Sequence, residues 1–302
     1  FPSHANTPNL PFCRSWGRSM TAVQLEYAVP DAGTAEWVTL FYHFRADVPM
    51  LEDTERADHA QLRFRISEGA AEYRMPDGGI QPAPPVHVIG PTSGAMQVKV
   101  LGPVHVFGCG ITPAGWAALM GNDGTTLVNC VLAARDLFGP AIDDTLARLA
   151  RAPDTKAMVA IAEASIAGLA HMRAPDAAFV RLVDEWLAAC ASPEIGALTA
   201  ATGLSDRQLE RKCKALYGVP PKLLARKYRA LKAAVAFAER RATLDELLDR
   251  GFYDQSHLIR EMKQFTGWTP RQLLEEPTLL AQLTISQRSA LQGQVNPLIS
   301  DT

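Results

Sequence analysis

No run of the 302 residues approaches the ~18 uninterrupted apolar positions that a membrane span needs, so no membrane partner is expected. The segment Phe1–Arg18 has no apolar core behind a basic start, so it does not read as an export signal. Cysteine is scarce and odd in number: Cys13, Cys109, Cys130, Cys190 and Cys213 are scattered, with no C-x-x-C pair. That spacing excludes a disulfide framework and a zinc knuckle, and a reducing cytoplasm is the expected setting. There is no Gly-x-Ser-x-Gly elbow and no pair of acids with usable context, so no catalytic residue and no cofactor are expected. His43, His87 and His105 lack the His-x-His spacing of a β-barrel metal site, and no metal is expected. Gly108-Cys-Gly110 reads as a turn, and Pro76-Asp-Gly-Gly79 as a hairpin turn rather than a phosphate loop, since no helix follows it.

What is present divides the chain by period. Residues 1–112 read as β-rich. Trp37–Phe44 is dense in aromatic and β-branched residues, and Leu62-Arg-Phe-Arg-Ile66 alternates as a strand with one wet face would. Val86–Ile89, Val98–Leu101 and Val104–Phe107 follow, separated by Gly- and Pro-rich turns, a pattern expected of a small sandwich or barrel. Residues 113–174 turn helical, with apolar spacing over Asp143–Leu149 and Lys156–Leu169, and read as a connector that joins the domains or dimerises them. Residues 175–276 follow, opened by Asp176 as a helix cap, and residues 277–302 form a tail with apolar Leu279, Leu280, Leu283 and Ile285. The fold class expected is α+β, a β-rich N-terminal domain ahead of an all-α C-terminal one.

In the C-terminal domain one layout occurs twice. A helix with Leu198 and Ala201 facing inward stops at Gly203; Leu204 plugs the gap; Ser205 caps a second helix, with Gln208 completing a capping box. Leu209, Cys213 and Leu216 line the inner face of that helix, and Gly218 ends it. The repeat runs from Leu244, Leu247 and Leu248 through Gly251 and Phe252 to Asp254. Asp254 caps a helix with Leu258, Met262 and Phe265 inside, and Gly267 stops it. These are two helix-turn-helix units, each with a second helix whose outer N-terminal face can enter a major groove. The Pro220–Ala238 segment between them would span ~28 Å as a helix. That is close to the ~34 Å between successive major grooves on one duplex face. Charge agrees in sign: residues 178–275 hold 16 Lys/Arg against 12 Asp/Glu, an excess of four in a chain of net −2.

Gly251-Phe-Tyr-Asp-Gln-Ser-His-Leu-Ile-Arg260 and Phe265-Thr-Gly-Trp-Thr-Pro270 resemble the AraC/XylS regulators, as do Gly203-Leu-Ser205, Leu209, Arg211 and Gly218-Val-Pro-Pro221. In the linker, Arg229 and Ala233 also match. The resemblance covers about residues 178–275, and it implies a paired helix-turn-helix domain behind a degenerate cupin-like sensor domain. It implies base reading by Arg207, Glu210 and Arg211 in one groove, and by Gln255, Ser256, His257 and Arg260 in the next. Lys222, Arg226, Lys227, Lys263 and Arg271 are implied as phosphate contacts. It implies double-stranded DNA as partner, a homodimer, a small-molecule effector and, for an activator, RNA polymerase. One position departs: Arg250 stands where an apolar residue is usual, so the second unit is expected to be tilted or less tightly packed. Two rival readings stay open, a cupin-like metalloenzyme with an appended helix-turn-helix and an orphan DNA-binding protein with no ligand pocket.

Overall fold

The computed structural model describes residues 23–121, 123–170 and 176–302. Phe1–Arg18, Cys13 and the Ala174-Pro175 boundary lie outside the described residues.

Two antiparallel sheets face each other across the N-terminal part. The larger is ordered β1 (Val23–Ala28), β2 (Val38–Ala46), β9 (Val104–Ile111), β4 (Gln61–Arg65), β7 (Val86–Ile89) and β10 (Val131–Ala133). The smaller is ordered β3 (Met50–Glu55), β8 (Met96–Leu101), β5 (Ala71–Arg74) and β6 (Ile80–Pro82), with the Pro76–Gly79 turn joining its last two strands. The outer face of the larger sheet, with Phe41, Leu62, Phe64, Val88 and Phe107, is covered by α1 (Pro113–Met120), α2 (Ala134–Phe138), α3 (Ala141–Leu149) and α4 (Thr155–Leu169). The helices read as a connector therefore pack as a layer on this sheet. Of these, α1 also reaches the next domain, through Ala114 and Ala118.

Two local expectations are corrected. The polar face of Leu62–Ile66 is not wet: Gln61, Arg63 and Arg65 are all buried, and Arg63 turns inward between the sheets, where Glu55, Tyr42 and Tyr73 receive its hydrogen bonds. Gly108-Cys-Gly110 is not a turn but the middle of β9. A Cβ on Gly108 would stand 2.5 Å from the Tyr42 ring, so glycine there lets the ring lie across the strand, and burial pushes the Cys109 thiol up to about 12. His43 and His105 meet, Nε2 to Nε2 at 2.8 Å, while His87 lies apart, bonded to the Pro84 carbonyl and the Tyr73 hydroxyl. Among the described residues no three His, Cys, Asp or Glu side chains gather to hold a metal.

The C-terminal domain comprises α5 (Ala177–Ala189), α6 (Ile195–Thr202), α7 (Asp206–Tyr217), α8 (Pro221–Ala238), α9 (Leu244–Leu248), α10 (Gln255–Thr266) and α11 (Pro270–Glu275). Asp176 sits at the cap position of α5 but makes no capping bond; its carboxylate pairs with Lys212 at 2.8 Å. The tail forms α12 (Leu279–Ser289) and α13 (Pro297–Ser300). Helix α12 returns to the N-terminal sheets, where Leu280 and Leu283 join the core between them and the Leu280 amide donates to Asp53 Oδ2 at 2.9 Å. No helix of the described chain is long and apolar enough to cross a membrane.

One half-buried acid ties α5, α7 and the tail together. Asp184 accepts from the Tyr217 hydroxyl and from Asn296 Nδ2 at 3.0 Å, and burial raises its pKa to about 7, more than those bonds lower it. The folded value lies above the unfolded one, so this stabilisation is full below about pH 4 and is lost as pH rises through about 7. Between pH 5 and pH 8 the group should cost on the order of 2–3 kcal/mol of stability. Asp184→Asn keeps the acceptor for Tyr217 and should remove that loss. Urea unfolding of both proteins at the two pH values checks it; an unchanged slope in the variant assigns the pH dependence elsewhere.

Candidate DNA interface

Each helix-turn-helix is built by a stop, a plug and a cap. In the first, α6 ends at Gly203 with φ 66°, and the half-buried Leu204 follows. Ser205 then caps α7, accepting from the Gln208 amide while Gln208 Oε1 accepts from the Ser205 amide at 3.0 Å. Leu209 and Cys213 are fully buried and Leu216 nearly so, which turns Arg207, Glu210 and Arg211 outward.

The second unit repeats the device. Gly251 has φ 98°, and a Cβ there would lie 2.6 Å from the Ser192 side chain, so both backbone angle and space demand glycine. Phe252 is buried as the plug, and Asp254 caps α10 by accepting from the His257 amide at 2.7 Å. Leu247, Leu258, Met262 and Phe265 are wholly buried, so the unit is not loosely packed; Arg250 simply projects into solvent.

Helix α8 holds the two units. Its Ala-rich face is buried through Ala230, Leu231, Ala233 and Ala234. Across from it lies Glu261 of α10, only 1 % exposed, paired with Arg226 at 2.6 Å, Arg229 at 2.7 Å and His257 at 3.1 Å. Burial alone would raise this carboxyl, but hydrogen bonds from Arg226 and Arg229 outweigh it and hold the group below the usual carboxylate range.

The β domain grips the far ends of the reading helices. Ala57 and Ala95 donate main-chain hydrogen bonds to Phe265 and Gln264 at the C-terminal end of α10, at 2.7 and 2.8 Å. A Cβ on Gly124 would meet the Ala215 carbonyl at 2.8 Å, which places that loop against the C-terminal end of α7. Lys227 and Tyr228 of α8 complete the junction, donating to the Asp58 carbonyl and meeting His59 Nε2, each at 2.8 Å. Burial drives the Lys227 ammonium down to about 8, against the opposing pull of the Asp58 charge.

Arg207, Arg211, Gln255, Ser256 and Arg260 are exposed, and none has a side-chain partner among the described residues. Glu210 is exposed but pairs with Lys214 at 2.5 Å. His257 departs from the base-reading expectation: its Nδ1 accepts from the Tyr253 amide at 3.1 Å, leaving Nε2 to face Glu261, so both ring nitrogens are spent inside the unit. In the phosphate set, Lys222 is exposed and free of such partners among the described residues. Lys263 is exposed with its ammonium on the Gly267 carbonyl, and Arg271 is 82 % exposed beside Glu275. Arg226 and Lys227 are corrections. Arg226 is 38 % exposed but its guanidinium is engaged by Glu261, and Lys227 is 4 % exposed against Asp58. The sequence reading passed over Tyr253, 92 % exposed in the turn before α10; an aromatic between a buried plug and a helix cap was its only signal.

Residues 198–276 match a family model described as a helix-turn-helix domain. Among solved structures, ToxT from Vibrio cholerae O395 is similar at 7% identity and TM-score 0.44, covering 85% of this chain and 99% of that one. The unsaturated fatty acid bound ToxT of Vibrio cholerae strain SCE256 is similar at 10% identity and TM-score 0.43, covering 86% and 98%. The AraC-like transcriptional activator CuxR is similar at 14% identity and TM-score 0.29, covering 69% and 86%. No curated protein matches the chain. Over residues 198–276 the chain carries a helix-turn-helix domain.

Proposed function

We propose that this protein is a ligand-responsive transcription regulator whose α7 and α10 read successive major grooves of one DNA duplex. The observation that carries the proposal is an asymmetry along both helices. Their N-terminal halves present Arg207, Arg211, Gln255, Ser256 and Arg260, none with a side-chain partner among the described residues, while their C-terminal ends are held by the β domain. The 18 residues of α8 span ~27 Å, in keeping with one turn of DNA between the two readers. Arg207, Arg211 and Arg260 suit guanine through its paired acceptors, and Gln255 suits adenine. Lys222, Lys263 and Arg271, and the hydroxyl of the exposed Tyr253, are assigned to phosphates.

A cavity of about 120 Å³ between the two sheets supports a small-molecule effector over the orphan reading, which needed a sealed domain. An effector acts by binding one arrangement of the domains better than another. Cytoplasmic location rests on the scattered cysteines, and dimerisation and activation through RNA polymerase on the family resemblance alone.

Selection of fragments from genomic DNA by the purified full chain tests the proposal. It should enrich a motif with two recognition elements about one helical turn apart, and a failure to enrich any motif would overturn sequence-specific reading. On that site Arg211→Ala and Arg260→Ala should each cost ~1–3 kcal/mol and relax preference at one base position. Equal weakening on random DNA would remove both from the base-reading set. Lys222→Ala should lower the magnitude of the salt slope of DNA binding by about one, whereas Lys227→Ala should leave the slope unchanged. Equilibrium titrations at several salt concentrations distinguish them; a lower slope for the Lys227 variant would mean that α8 turns over on DNA.

A further inference from the structure

We propose that His43 and His105 form a two-coordinate site for a monovalent, closed-shell metal ion, copper(I), on the outer face of the larger sheet. The proposal depends on neither the DNA-reading nor the ligand-responsive assignment above.

Strand parity puts both rings outside the sandwich. Phe44 and Val104 face the core between the sheets, whereas Phe41 and Phe107, each two positions from one of the histidines, belong to the layer under the helices. The pair is therefore no part of the chamber between the sheets. His43 is 5 % exposed and His105 half-buried, so an ion reaches the pair past His105.

The hydrogen bonds around His43 run one way. A carboxylate only accepts, so the Thr155 hydroxyl spends its proton on Glu26 Oε2 and receives the His43 Nδ1–H at 2.8 Å. Nε2 is left as a lone-pair donor, since a buried imidazole beside a second imidazole and Arg45 stays neutral. A hydrogen bond on the far ring nitrogen, backed by a carboxylate, is what orients histidines on metals. Thr155 opens α4, which packs on the sheet, so His43 is the fixed half of the site.

His105 brings the second nitrogen. The two Nε2 atoms are 2.8 Å apart and the ring centroids 5.0 Å, so the rings meet end to end and not face to face. Without metal, His105 Nε2–H donates to His43 Nε2. An ion takes the place of that proton, and His105 stays neutral by carrying the proton on Nδ1 instead. Metal–nitrogen bonds of ~2 Å require the nitrogens to part by about 1 Å. For a half-buried ring that is a rotation well inside the ~30° a rotamer well tolerates.

The number and charge of the ligands select the ion. Among the described residues no third His, Cys, Asp or Glu joins the pair. Zinc takes three or four protein ligands, whereas a monovalent closed-shell ion is satisfied by two opposed nitrogens. Imidazole is a ligand that copper accepts. Glu26 lies close enough to offset one positive charge, but Arg45 already draws on its other oxygen at 3.8 Å, which weighs against a divalent ion.

The test uses the full chain with its accessible thiols alkylated, since thiolates compete for the same ions. Silver(I) in chloride-free buffer, as the redox-inert analogue, and copper(I) supplied from a chelator without oxygen should each bind at one equivalent. Zinc(II) should bind at least tenfold more weakly than copper(I). Nitrogen NMR of the imidazoles should show both Nε2 signals shifting on silver(I) and the His105 proton moving to Nδ1, while His43 keeps its Nδ1–H. X-ray absorption of the copper(I) form should show two nitrogen neighbours. His105→Gln should lose copper(I) affinity at least tenfold while its circular-dichroism melt without metal stays that of the parent. Thr155→Val, which removes the acceptor behind His43, should lose about tenfold. Ring signals of the parent unmoved by one equivalent of silver(I), three or more ligands on copper(I), zinc(II) bound as tightly, or undiminished affinity in the His105 variant each overturns the site. The ring signals of the parent decide the matter even where a variant does not fold. Undiminished affinity in the Thr155 variant overturns the orienting role of Thr155 and Glu26 alone.

Discussion

A carboxylate closed off from water has to be matched by cations and hydrogen-bond donors, and Glu261 has three partners, the guanidiniums of Arg226 and Arg229 and the imidazole of His257. Two come from α8 and one from its own helix, so the pairing fixes the rotation of α10 about the linker helix as well as its distance. Removing one partner of such an arrangement is far more disruptive than its net contribution would suggest, because the remaining charge stays buried. The Ala-rich face of α8 makes this close approach possible, since small side chains at Ala230, Ala233 and Ala234 let neighbouring helices come near. The orientation of Arg260 and Ser256 toward solvent is a consequence of that rotation. His257 is the exception, drawn into the charge cluster and away from the surface.

The second constraint comes from outside the helix-turn-helix pair. The β domain touches α7 near Ala215, α8 at Lys227 and Tyr228, and α10 at Gln264 and Phe265. These contacts combine main-chain hydrogen bonds and close backbone approach with a small apolar cluster of Ala57, Ala230, Leu231 and Phe265. Polar junctions of this kind lose their geometry quickly when partners shift, because each buried donor or carbonyl must find another partner. The separation of the two reading helices is therefore set jointly by α8 and by the sheets behind it.

The helix-turn-helix pair was legible in the sequence because its devices are local: Ser205 with Gln208, Asp254, and the glycines at 203 and 251 each act within a few residues. The larger sheet was half legible, with β2, β4, β7 and β9 marked by β-branched and aromatic runs. The strand β3, Met50–Glu55, was missed because its acidic composition hides a pattern completed only by its neighbours. The alternation of Leu62–Ile66 was seen and its meaning inverted, since a period of two reports two faces and says nothing of whether the polar one meets water or an enclosed chamber. Lys227 failed for the same reason on a helix. A basic residue next to Arg226 looks like an exposed stripe until the Asp58 carbonyl is brought to it from 169 positions away. Arg56 carried no sequence signal, and Trp268 only its place in the Phe265–Pro270 run; what sets both apart is the lack of acceptors around them among the described residues.

The return of α12 to the sheets has a topological consequence. A module hung from one linker is free to swing through a wide cone, whereas this one is moored to the β layers both before α5 and after α11. Leu280 and Leu283 are inserted into the sheet core, so the second mooring is apolar as well as ionic. Large excursions of the reading units would have to peel α12 away, and rearrangements that spare it are confined to small rolls between two fixed attachment points. The protein is thus shaped less like a head on a leash than like a loop of rope made fast at both ends.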